Sequence, residues 1–270
     1  MAVTSKVAAD ADLGSSAALT VAAAKALSDL AGAKLTGRQI AGVAFRAAQG
    51  QAGGGSSVMD QTIAALAKPG HALLLETASL EVRHIPFRAR LLLVDTGTRS
   101  DPDTGGLQER RAECEAAVKR LKMELPEMVW LASWPAEWLG RLKRALKEPL
   151  RSRAVHVVGE TARTRFGAQL LEQGKLKQFG SLLYESHESC RRLFECSAPE
   201  LDTVVHAAKR AGALGARLTG GGWGGAAIVL VGKGEKKVVE GITRAFVKAY
   251  GREPVISEVR AAGGVRLERL

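Results

Sequence analysis

Residues 217–226 read RLTGGGWGGA, in which three glycines, one tryptophan and two further glycines follow one another. Apolar residues flank this run at 213–218 and at 226–231. The pattern predicts two strands joined by a glycine turn, because glycine accepts positive φ and lets another group approach the backbone closely. Exposed N–H groups in such a turn can bind an anion such as phosphate. A hairpin with a bulge fits the same residues without any ligand, so both interpretations stay open here.

The composition is that of a globular chain of one large domain or two small ones. Of its 270 residues 46% are hydrophobic and only 4% aromatic, so alanine and leucine must fill most of the core. No run of about 18 apolar residues predicts a membrane span, and the first residues lack the apolar segment of a secretory signal. Three cysteines without a CxxC pair favour reduced thiols in the cytoplasm.

The net charge of +11 is spread along the chain. Its densest basic patch consists of Arg141, Lys143, Arg144, Lys147, Arg151 and Arg153. No aromatic residues interleave with this patch, which favours a solvated helix face over a specific nucleic-acid site. A general positive potential would still attract anionic small molecules.

A second candidate anion site lies near the start of the chain, in the sequence DLGSS at 12–16. Residues 17–31 follow with apolar side chains at helical spacing, and Ser15 or Ser16 is the expected N-cap. Free N–H groups and the helix dipole favour an anion at a helix N-terminus. Serine capping explains the same residues and is favoured when this stretch is taken alone.

Asp60 is expected in the first turn of a helix that follows the glycine-rich loop GQAGGGSS at 50–57. An acid in that position compensates the helix dipole. A carboxylate directly after a glycine loop is also placed to face a ligand. Asp60 is therefore both a candidate catalytic residue and a candidate structural one.

The rest of the chain predicts a helix-rich α+β fold with few strands. Strands are expected at 71–75, 90–95 and 254–259, and helices at 34–49, 105–121, 135–146, 153–174, 180–195 and 236–250. Residues 197–200 fit a capping box for a further helix that ends at Gly212. His156 and His187 each lie alone on a predicted helix, and we expect structural roles for them.

Five motifs in the same order resemble the GHMP small-molecule kinases, and among them the galactokinases. They are DLGSSAAL at 12–19, GGGSSVMDQ at 53–61, LQERRAECE at 107–115, SLLYESHES at 181–189 with CSAPELD at 196–202, and GARLTGGGWGGA at 215–226. The resemblance covers nearly the whole chain. It implies a GHMP-kinase-like two-layer α+β architecture, with an incomplete N-terminal domain over residues 1–100 and a helix-rich C-terminal domain over residues 101–270.

The resemblance also implies ATP-dependent phosphorylation of a sugar hydroxyl to a sugar 1-phosphate, with ATP and Mg²⁺ as cofactors. Asp60 would act as base or charge partner for the attacking hydroxyl. The ATP-binding residues would be Leu13, Gly14, Ser15, Ser16, Ala17, Gly220, Gly221 and Gly222. Gly54, Gly55 and Asp60 would contact the sugar, and Ser16 would also bind Mg²⁺. The hairpin 218–226 is expected within roughly 15 Å of the helix that starts near Gly14, since a triphosphate spans less than two helical turns.

Several residues depart from the family pattern. The family's first motif contains an arginine, sugar-binding acids and a histidine. It does not precede the candidate phosphate-binding residues 12–16. Asp10 and Asp12 replace glycines, Leu107 replaces a tyrosine beside the sugar, and the Mg²⁺-binding glutamate would fall at Ala48 or Gln49. We therefore expect a poor catalyst.

Three hypotheses stay open at this point. The chain is an active sugar kinase of galactokinase type, a catalytically lapsed member that binds a sugar, a nucleotide or a partner protein, or a fragment of a longer enzyme. No membrane and no specific nucleic acid is expected among its partners. The identity of the sugar and the oligomeric state, including a homo-oligomer, are left open.

Overall fold

The computed structural model describes residues 2–5, 7, 13–51, 57–99, 106–123, 125–126 and 128–268. The chain forms two compact units, one comprising residues 1–88 with 259–270 and the other comprising residues 89–258. In the part of the chain described, no helix is both long and apolar enough to cross a membrane. The assignment of residues 1–100 and 101–270 to family domains stays a prediction.

The first unit packs three helices together and carries one antiparallel strand pair. The elements are α1 (Ser15–Leu30), α2 (Gly37–Gln51), α3 (Val58–Leu66), β1 (His71–Glu76) and β2 (Glu81–Pro86). A capping box starts α2, since the Thr36 N–H donates to Gln39 Oε1 at 2.8 Å and the Gln39 N–H donates to Thr36 Oγ1 at 3.3 Å. Buried Val21, Ile40 and Ala44 join the helices in one apolar cluster.

The second unit is a sheet with helices packed around it. Its elements are β3 (Arg90–Asp95), α4 (Gly106–Leu121), α5 (Leu139–Ala145), α6 (Leu150–Glu172), α7 (Leu176–Ser189), α8 (Pro199–Ala211), β4 (Gly215–Leu218), β5 (Ala226–Val231), α9 (Glu235–Tyr250) and β6 (Val255–Val259). The strand order is β4-β5-β3-β6, and β5 pairs antiparallel with both β4 and β3. A π-helical turn over Cys190–Phe194 extends α7.

The core of the second unit follows from the apolar pattern of the predicted elements. Every residue of β5 except Ile228 is buried, as a continuous apolar run in the middle of a covered sheet requires. The helices α8 and α9 place Leu201, Val204, Ile242 and Phe246 against it at helical spacing. A second cluster joins α4, α5 and α6.

Two expectations about helix caps are wrong. Gly14, not Ser15 or Ser16, is the N-cap residue of α1, and a glycine has no side chain with which to cap that helix. The N-cap of α8 is Ala198, again without a side-chain hydrogen bond. The hydroxyl of Ser197 donates instead to Asp202 Oδ1 at 2.6 Å, which removes it from the expected capping box.

Two further expectations are wrong, and one strand was not predicted. The segment 135–146 is not one helix, because a 3₁₀ turn over Ala136–Trp138 precedes α5. The strand β2, EVRHIP, was not expected from the sequence. Arg153 does not belong to a solvated basic face, since its side chain is only 3% exposed and bound by carboxylates.

Candidate functional site

The first helix begins without a side-chain cap. Gly14 has φ 71° and ψ 27°, a left-handed conformation that glycine accepts without strain. The first turn of α1 contains no acidic residue. The positive end of the helix dipole lies at these first residues, and this end of a helix favours an anion. Ser16 is exposed there, Ser15 is half-buried, and Ala17 is buried beneath them.

Asp60 lies beside Gly14 in the first unit. A Cβ atom placed on Gly14 would be 3.9 Å from Cβ and 4.0 Å from Cγ of Asp60. Asp60 is half-buried in the first turn of α3, whose N-cap Ser57 accepts a hydrogen bond from the Met59 N–H. The start of α1 and the carboxylate of Asp60 thus meet at one place, and the dipole of α3 favours the ionised carboxylate.

Of the other predicted residues of this region, some are described by the structure and some are not. Leu13 is half-buried next to Gly14. Gly54 and Gly55, as well as Asp10 and Asp12, lie outside the described residues. On α2, Ala48 is buried and Gln49 is exposed.

The predicted role of Ser16 as a metal ligand stays a prediction. Within the described residues, no group of three or more His, Cys, Asp or Glu side chains is placed to hold a metal ion. Mg²⁺ is commonly bound by one or two protein oxygens, by water and by substrate phosphates. The exposed hydroxyl of Ser16 fits one position of that kind and does not by itself make a resident metal site.

The glycine turn of the second unit is a seven-residue loop, 219–225, that joins β4 to β5. Four of its glycines have positive φ, as does Trp223 at 55°. That value is unusual for a bulky side chain and persists only where the surroundings hold it. Gly220 and Gly221 are exposed at the tip, whereas Gly222 is buried. We call residues 219–225 the glycine loop.

Both sides of the glycine loop are fixed by hydrogen bonds. On one side the Trp223 N–H donates to the Cys196 carbonyl at 2.7 Å. On the other side the Gly225 N–H donates to the Thr98 carbonyl at 2.7 Å. The Gly225 carbonyl accepts from the Thr96 hydroxyl at 2.6 Å. These hydrogen bonds hold the loop at Trp223 and Gly225, and Gly220 and Gly221 lie exposed at its tip.

The indole of Trp223 adds a third support. A Cβ atom on Gly106, the first residue of α4, would lie 2.8 Å from the indole ring. The absence of a side chain at Gly106 lets the indole sit against the start of that helix. The predicted convergence of the glycine loop with the Gly14 region stays a prediction.

Two of the histidines in the second unit, His156 and His187, have structural positions. His187 is fully buried, and its Nδ1 accepts from the Leu218 N–H at 3.3 Å while its Nε2 donates to Asp202 at 3.1 Å. One acceptor and one donor nitrogen describe a neutral ring that anchors the end of β4. Burial lowers the pKa of His156 to about 4, and its ring stacks on Phe194 with the centroids 4.4 Å apart.

The ion pairs of two buried arginines, Arg110 and Arg153, were not predicted from the sequence. Arg153 binds Glu113 and Glu195, and Arg110 binds the same Glu113. The sequence placed Arg153 on a basic surface because its partners are 40 and 42 residues away along the chain. The spacing of Arg110 and Glu113 by three residues on α4 was the local signal that one pair would form.

A cavity of about 700 Å³ lies away from these residues, on the surface formed by α6, α7 and α8. Its lining includes Arg163, Tyr184, Glu188, Arg192 and Lys209. Arg163 is paired with Glu160, and Arg192 with Glu188, so the cavity brings together charges that already neutralise one another. It contains none of the predicted site residues.

Comparison with known proteins relates both halves of the chain to one family. Models of the GHMP kinases N terminal domain and of the GHMP kinases C terminal match residues 1–68 and 168–249. A galactokinase of Streptomyces coelicolor is 40% identical over 97% of this chain and 68% of its own length. A galactokinase of Thermotoga maritima is 34% identical over 98% of this chain and 75% of its own length.

The chain belongs to the GHMP kinases. Its relatives make it a galactokinase-like sugar kinase, a phosphotransferase with an alcohol acceptor. The crystal structure of Lactococcus lactis galactokinase complexed with galactose matches 96% of the chain with a TM-score of 0.90 at 26% identity, and confirms the expected α+β GHMP-kinase-like fold. The chain covers 68% of that structure. Gly14 and Asp60 fall within the match to the N-terminal model, and the glycine loop falls within the match to the C-terminal model.

Proposed function

We propose that this GHMP kinase transfers the γ-phosphoryl group of ATP to a hydroxyl of a sugar at the site formed by Gly14 and Asp60. The single observation that supports this most is the approach of Asp60 to Gly14, with a Cβ position on Gly14 only 4.0 Å from the carboxyl carbon. The candidate anion site at Gly14 and the carboxylate of Asp60 would then take part in the same reaction. Galactose is the first acceptor to test, because galactokinases are among the relatives, and the expected product is the sugar 1-phosphate.

The backbone N–H groups of residues 13–17, at the start of α1, would bind the phosphates of ATP. Phosphoryl transfer depends mainly on positioning and on neutralising charge, which fixed backbone donors supply without reorganisation. The exposed tip of the glycine loop, Gly220 and Gly221, would donate to the phosphates in the same way. Gly222 would act from below the tip by holding its shape.

Asp60 would orient the acceptor hydroxyl and accept its proton as the oxygen attacks the γ-phosphorus. General-base catalysis of this kind contributes about 10²–10⁴-fold. Its place in the first turn of α3 puts it at the helix end whose dipole favours negative charge. Gly54 and Gly55 precede this helix in the sequence and are proposed to contact the sugar.

The Ser16 hydroxyl would be a protein ligand of Mg²⁺, which would supply positive charge to the phosphates when bound. No carboxylate stands at Ala48 or Gln49 to add a second one. Loss of one charge contact in the transition state typically costs about 10²–10³ in rate. The chain as given is therefore proposed to turn over more slowly than the ordinary 1–100 per second.

The test combines nucleotide binding with turnover. The purified chain is heated with ATP, with ATP and Mg²⁺, and with a panel of sugars, and sugar-dependent ADP release is then measured. We expect ATP to raise the melting temperature and galactose to stimulate slow ADP release above the sugar-free reaction. No stabilisation by ATP and no sugar-dependent release would contradict the proposal. Stabilisation without turnover would identify the lapsed form of the kinase.

Location and assembly complete the proposal. Cys114, Cys190 and Cys196 are free thiols, which fits a reducing compartment, and we place the protein in the cytoplasm. ATP and a small sugar are its proposed ligands. Size-exclusion chromatography with light scattering will decide between a monomer and a homo-oligomer.

A further inference from the structure

Four ionisable side chains, Arg110, Glu113, Arg153 and Glu195, form what we call the arginine cluster. Arg153 is its centre, and its side chain is only 3% exposed. Its Nε donates to Glu113 at 2.8 Å, its Nη2 to Glu195 at 2.6 Å and its Nη1 to the Leu193 carbonyl at 2.6 Å. Each nitrogen of the guanidinium is therefore bound to a different partner.

Arg110 completes the cluster from α4. Its Nη1 donates to the same oxygen of Glu113 at 2.7 Å, and it lies 3.7 Å from Glu195. The hydrogen bond from Arg153 holds the pKa of Glu195 below its usual range, so this carboxylate is ionised at neutral pH. The buried Arg110 and Arg153 thus share Glu113, and the exposed Glu195 lies beside both of them. Arg110 also donates to the exposed Glu109 at 2.6 Å.

The cluster fixes the turn that leads to Cys196. Two of the three groups bound by Arg153, the Leu193 carbonyl and the Glu195 carboxylate, lie within three residues of Cys196. Glu195 itself has φ 56°, a left-handed conformation that a non-glycine residue adopts only under constraint. The Cys196 N–H then donates back to the Cys190 carbonyl at 3.1 Å. The direction of the Cys196 carbonyl depends on this turn.

Cys196 connects the turn to the glycine loop. Its carbonyl accepts the Trp223 N–H at 2.7 Å, and a methyl group on Gly222 would overlap that same carbonyl oxygen. The helix that carries Arg110 and Glu113 also begins at Gly106, against the Trp223 indole. The arginine cluster therefore determines two of the surfaces on which the glycine loop rests.

Stability alone does not explain two buried arginines that are paired with carboxylates. Desolvation of buried ions commonly offsets their attraction, and apolar replacements of similar volume are often neutral. A guanidinium instead offers planar donors in fixed directions, which suits it to fixing geometry. A geometric role would account for an arginine at this position.

We propose that Arg153 is a positioning residue for nucleotide binding, which acts through the Cys196 carbonyl to set the place of the glycine loop. This inference rests on the proposed function in one respect, namely that the loop tip contacts the nucleotide. Arg153 does not touch the reacting atoms. Its effect passes along backbone groups, from the turn at 193–195 to Cys196 and then to Trp223 and Gly222.

The test uses two cluster variants and a matched control. Arg153→Met keeps the volume of the side chain and removes its donors, and Glu195→Gln removes one charge at a more exposed position. Arg163→Met is the control, because Arg163 lies on the same helix and forms an ion pair with Glu160. The first readout is amide hydrogen exchange without nucleotide, and the second is the KM for ATP compared with the KM for sugar.

We expect Arg153→Met to speed exchange of the Trp223 amide at least tenfold while exchange of the Val229 amide in β5 changes less than twofold. The KM for ATP should rise about tenfold, and the KM for sugar should change less than twofold. Glu195→Gln should shift exchange and ATP affinity in the same direction by about threefold. Arg163→Met should alter neither.

Unchanged Trp223 exchange in a folded Arg153→Met protein would overturn the inference, and so would equal acceleration at Val229, which indicates general loosening. If Arg153→Met does not fold, Glu195→Gln decides by the same criteria. If the parent chain binds no ATP, the proposed function fails, while the exchange data still decide whether Arg153 positions the loop. The two failures are therefore distinguishable.

Discussion

The two glycine-containing regions of this kinase are built in opposite ways. At the start of α1, Gly14 is the N-cap residue and stands next to the carboxylate of Asp60. The glycine loop is held on both sides by hydrogen bonds and rests on Cys196 and on α4. The first region presents polar groups to a ligand, whereas the second uses its backbone hydrogen bonds mainly to fix its own shape. Substitutions should therefore act on chemistry in the first region and on stability in the second.

The largest effect is expected at Asp60. Asp60→Asn keeps the volume of the side chain and removes the charge that would receive the proton, so turnover should fall about 10²–10⁴-fold. Stabilisation by ATP should be nearly unchanged, because the proposed nucleotide contacts are backbone groups elsewhere. ADP release and the ATP-dependent shift in melting temperature, measured on one preparation, check both statements.

Asp29→Asn is the matched control for this change, since Asp29 lies in the same unit and pairs with Lys25 on the surface of α1. It should leave turnover unchanged. If Asp60 only compensates the helix dipole, Asp60→Asn would cost about 0.3–1 kcal/mol of stability and spare the rate. That outcome would contradict the conclusion that the Gly14 region acts on chemistry and the glycine loop on stability.

Gly222→Ala should produce the largest loss of stability in the glycine loop. The residue has φ 97°, and its new methyl group would overlap the Cys196 carbonyl, so the loop would have to move away from its support. We expect a loss of about 3 kcal/mol from backbone strain and from the disturbed Trp223 hydrogen bond. Chemical denaturation of the parent and the variant measures it.

Gly234→Ala is the control that has a similar backbone strain without the overlap of the new methyl group with a neighbour. Gly234 has φ 99°, and no described atom lies within 4 Å of a Cβ atom placed there. It should lose only the strain of the left-handed conformation, about 1–2 kcal/mol. Equal losses at the two glycines would mean that contact with Cys196 does not stabilise the loop.

Gly14→Ala should have the reverse character, with a small effect on stability and a clear effect on turnover. The new methyl group would make only ordinary contacts with Asp60, so the strain of φ 71° should cost about 1 kcal/mol. It would nevertheless occupy the space between the helix start and the carboxylate, and a displaced reacting group should lower turnover about tenfold or more.

Gly32→Ala serves as its partner, because Gly32 has φ 69° in the same unit and no described neighbour within 4 Å of a Cβ position. The two variants should lose similar stability, and only Gly14→Ala should lose turnover. Loss of turnover in both would show that the rate follows the stability of the whole unit. Denaturation curves and ADP release on the pair give the answer.

The local elements of both regions could be predicted from the sequence because short-range rules determine them. Apolar spacing predicted α8, α9 and β5, and glycine content predicted the turn between β4 and β5. The strand β2 was missed since its alternating charged residues leave it half exposed. The N-cap of α1 was assigned to a serine, although the N-cap residue is a glycine with positive φ.

Long-range pairing was beyond the reach of such rules. Arg153 looked like part of a basic surface, and only the fold brings Glu113 and Glu195 to it across 40 and 42 residues. The approach of Asp60 to Gly14 likewise depends on how α3 packs beside α1. The family resemblance suggested that the two belong to one site, and the distance between them had to come from the structure.

The smallest predicted effect concerns the support behind the glycine loop and its response to acid. His156 on α6 stacks on Phe194 and shares a 2.8 Å hydrogen bond with the Ser189 hydroxyl, next to the turn that leads to Cys196. Burial lowers its pKa to about 4, with Arg163 and Arg217 lowering it further and Glu160 opposing them.

Since the unfolded chain has a histidine pKa near 6.5, it binds the proton more readily than the folded chain does between pH 6.5 and pH 4. The stability from neutral His156 is therefore present above pH 6.5 and is lost as the pH falls through that window. Between pH 6.5 and pH 5.5 the loss should be about 1 kcal/mol. His156→Gln should remove this part of the pH dependence, whereas His206→Gln, at a half-exposed histidine, should retain it. Denaturation at both pH values measures the slope, and an unchanged slope in His156→Gln would show that the acid sensitivity of the second unit arises elsewhere.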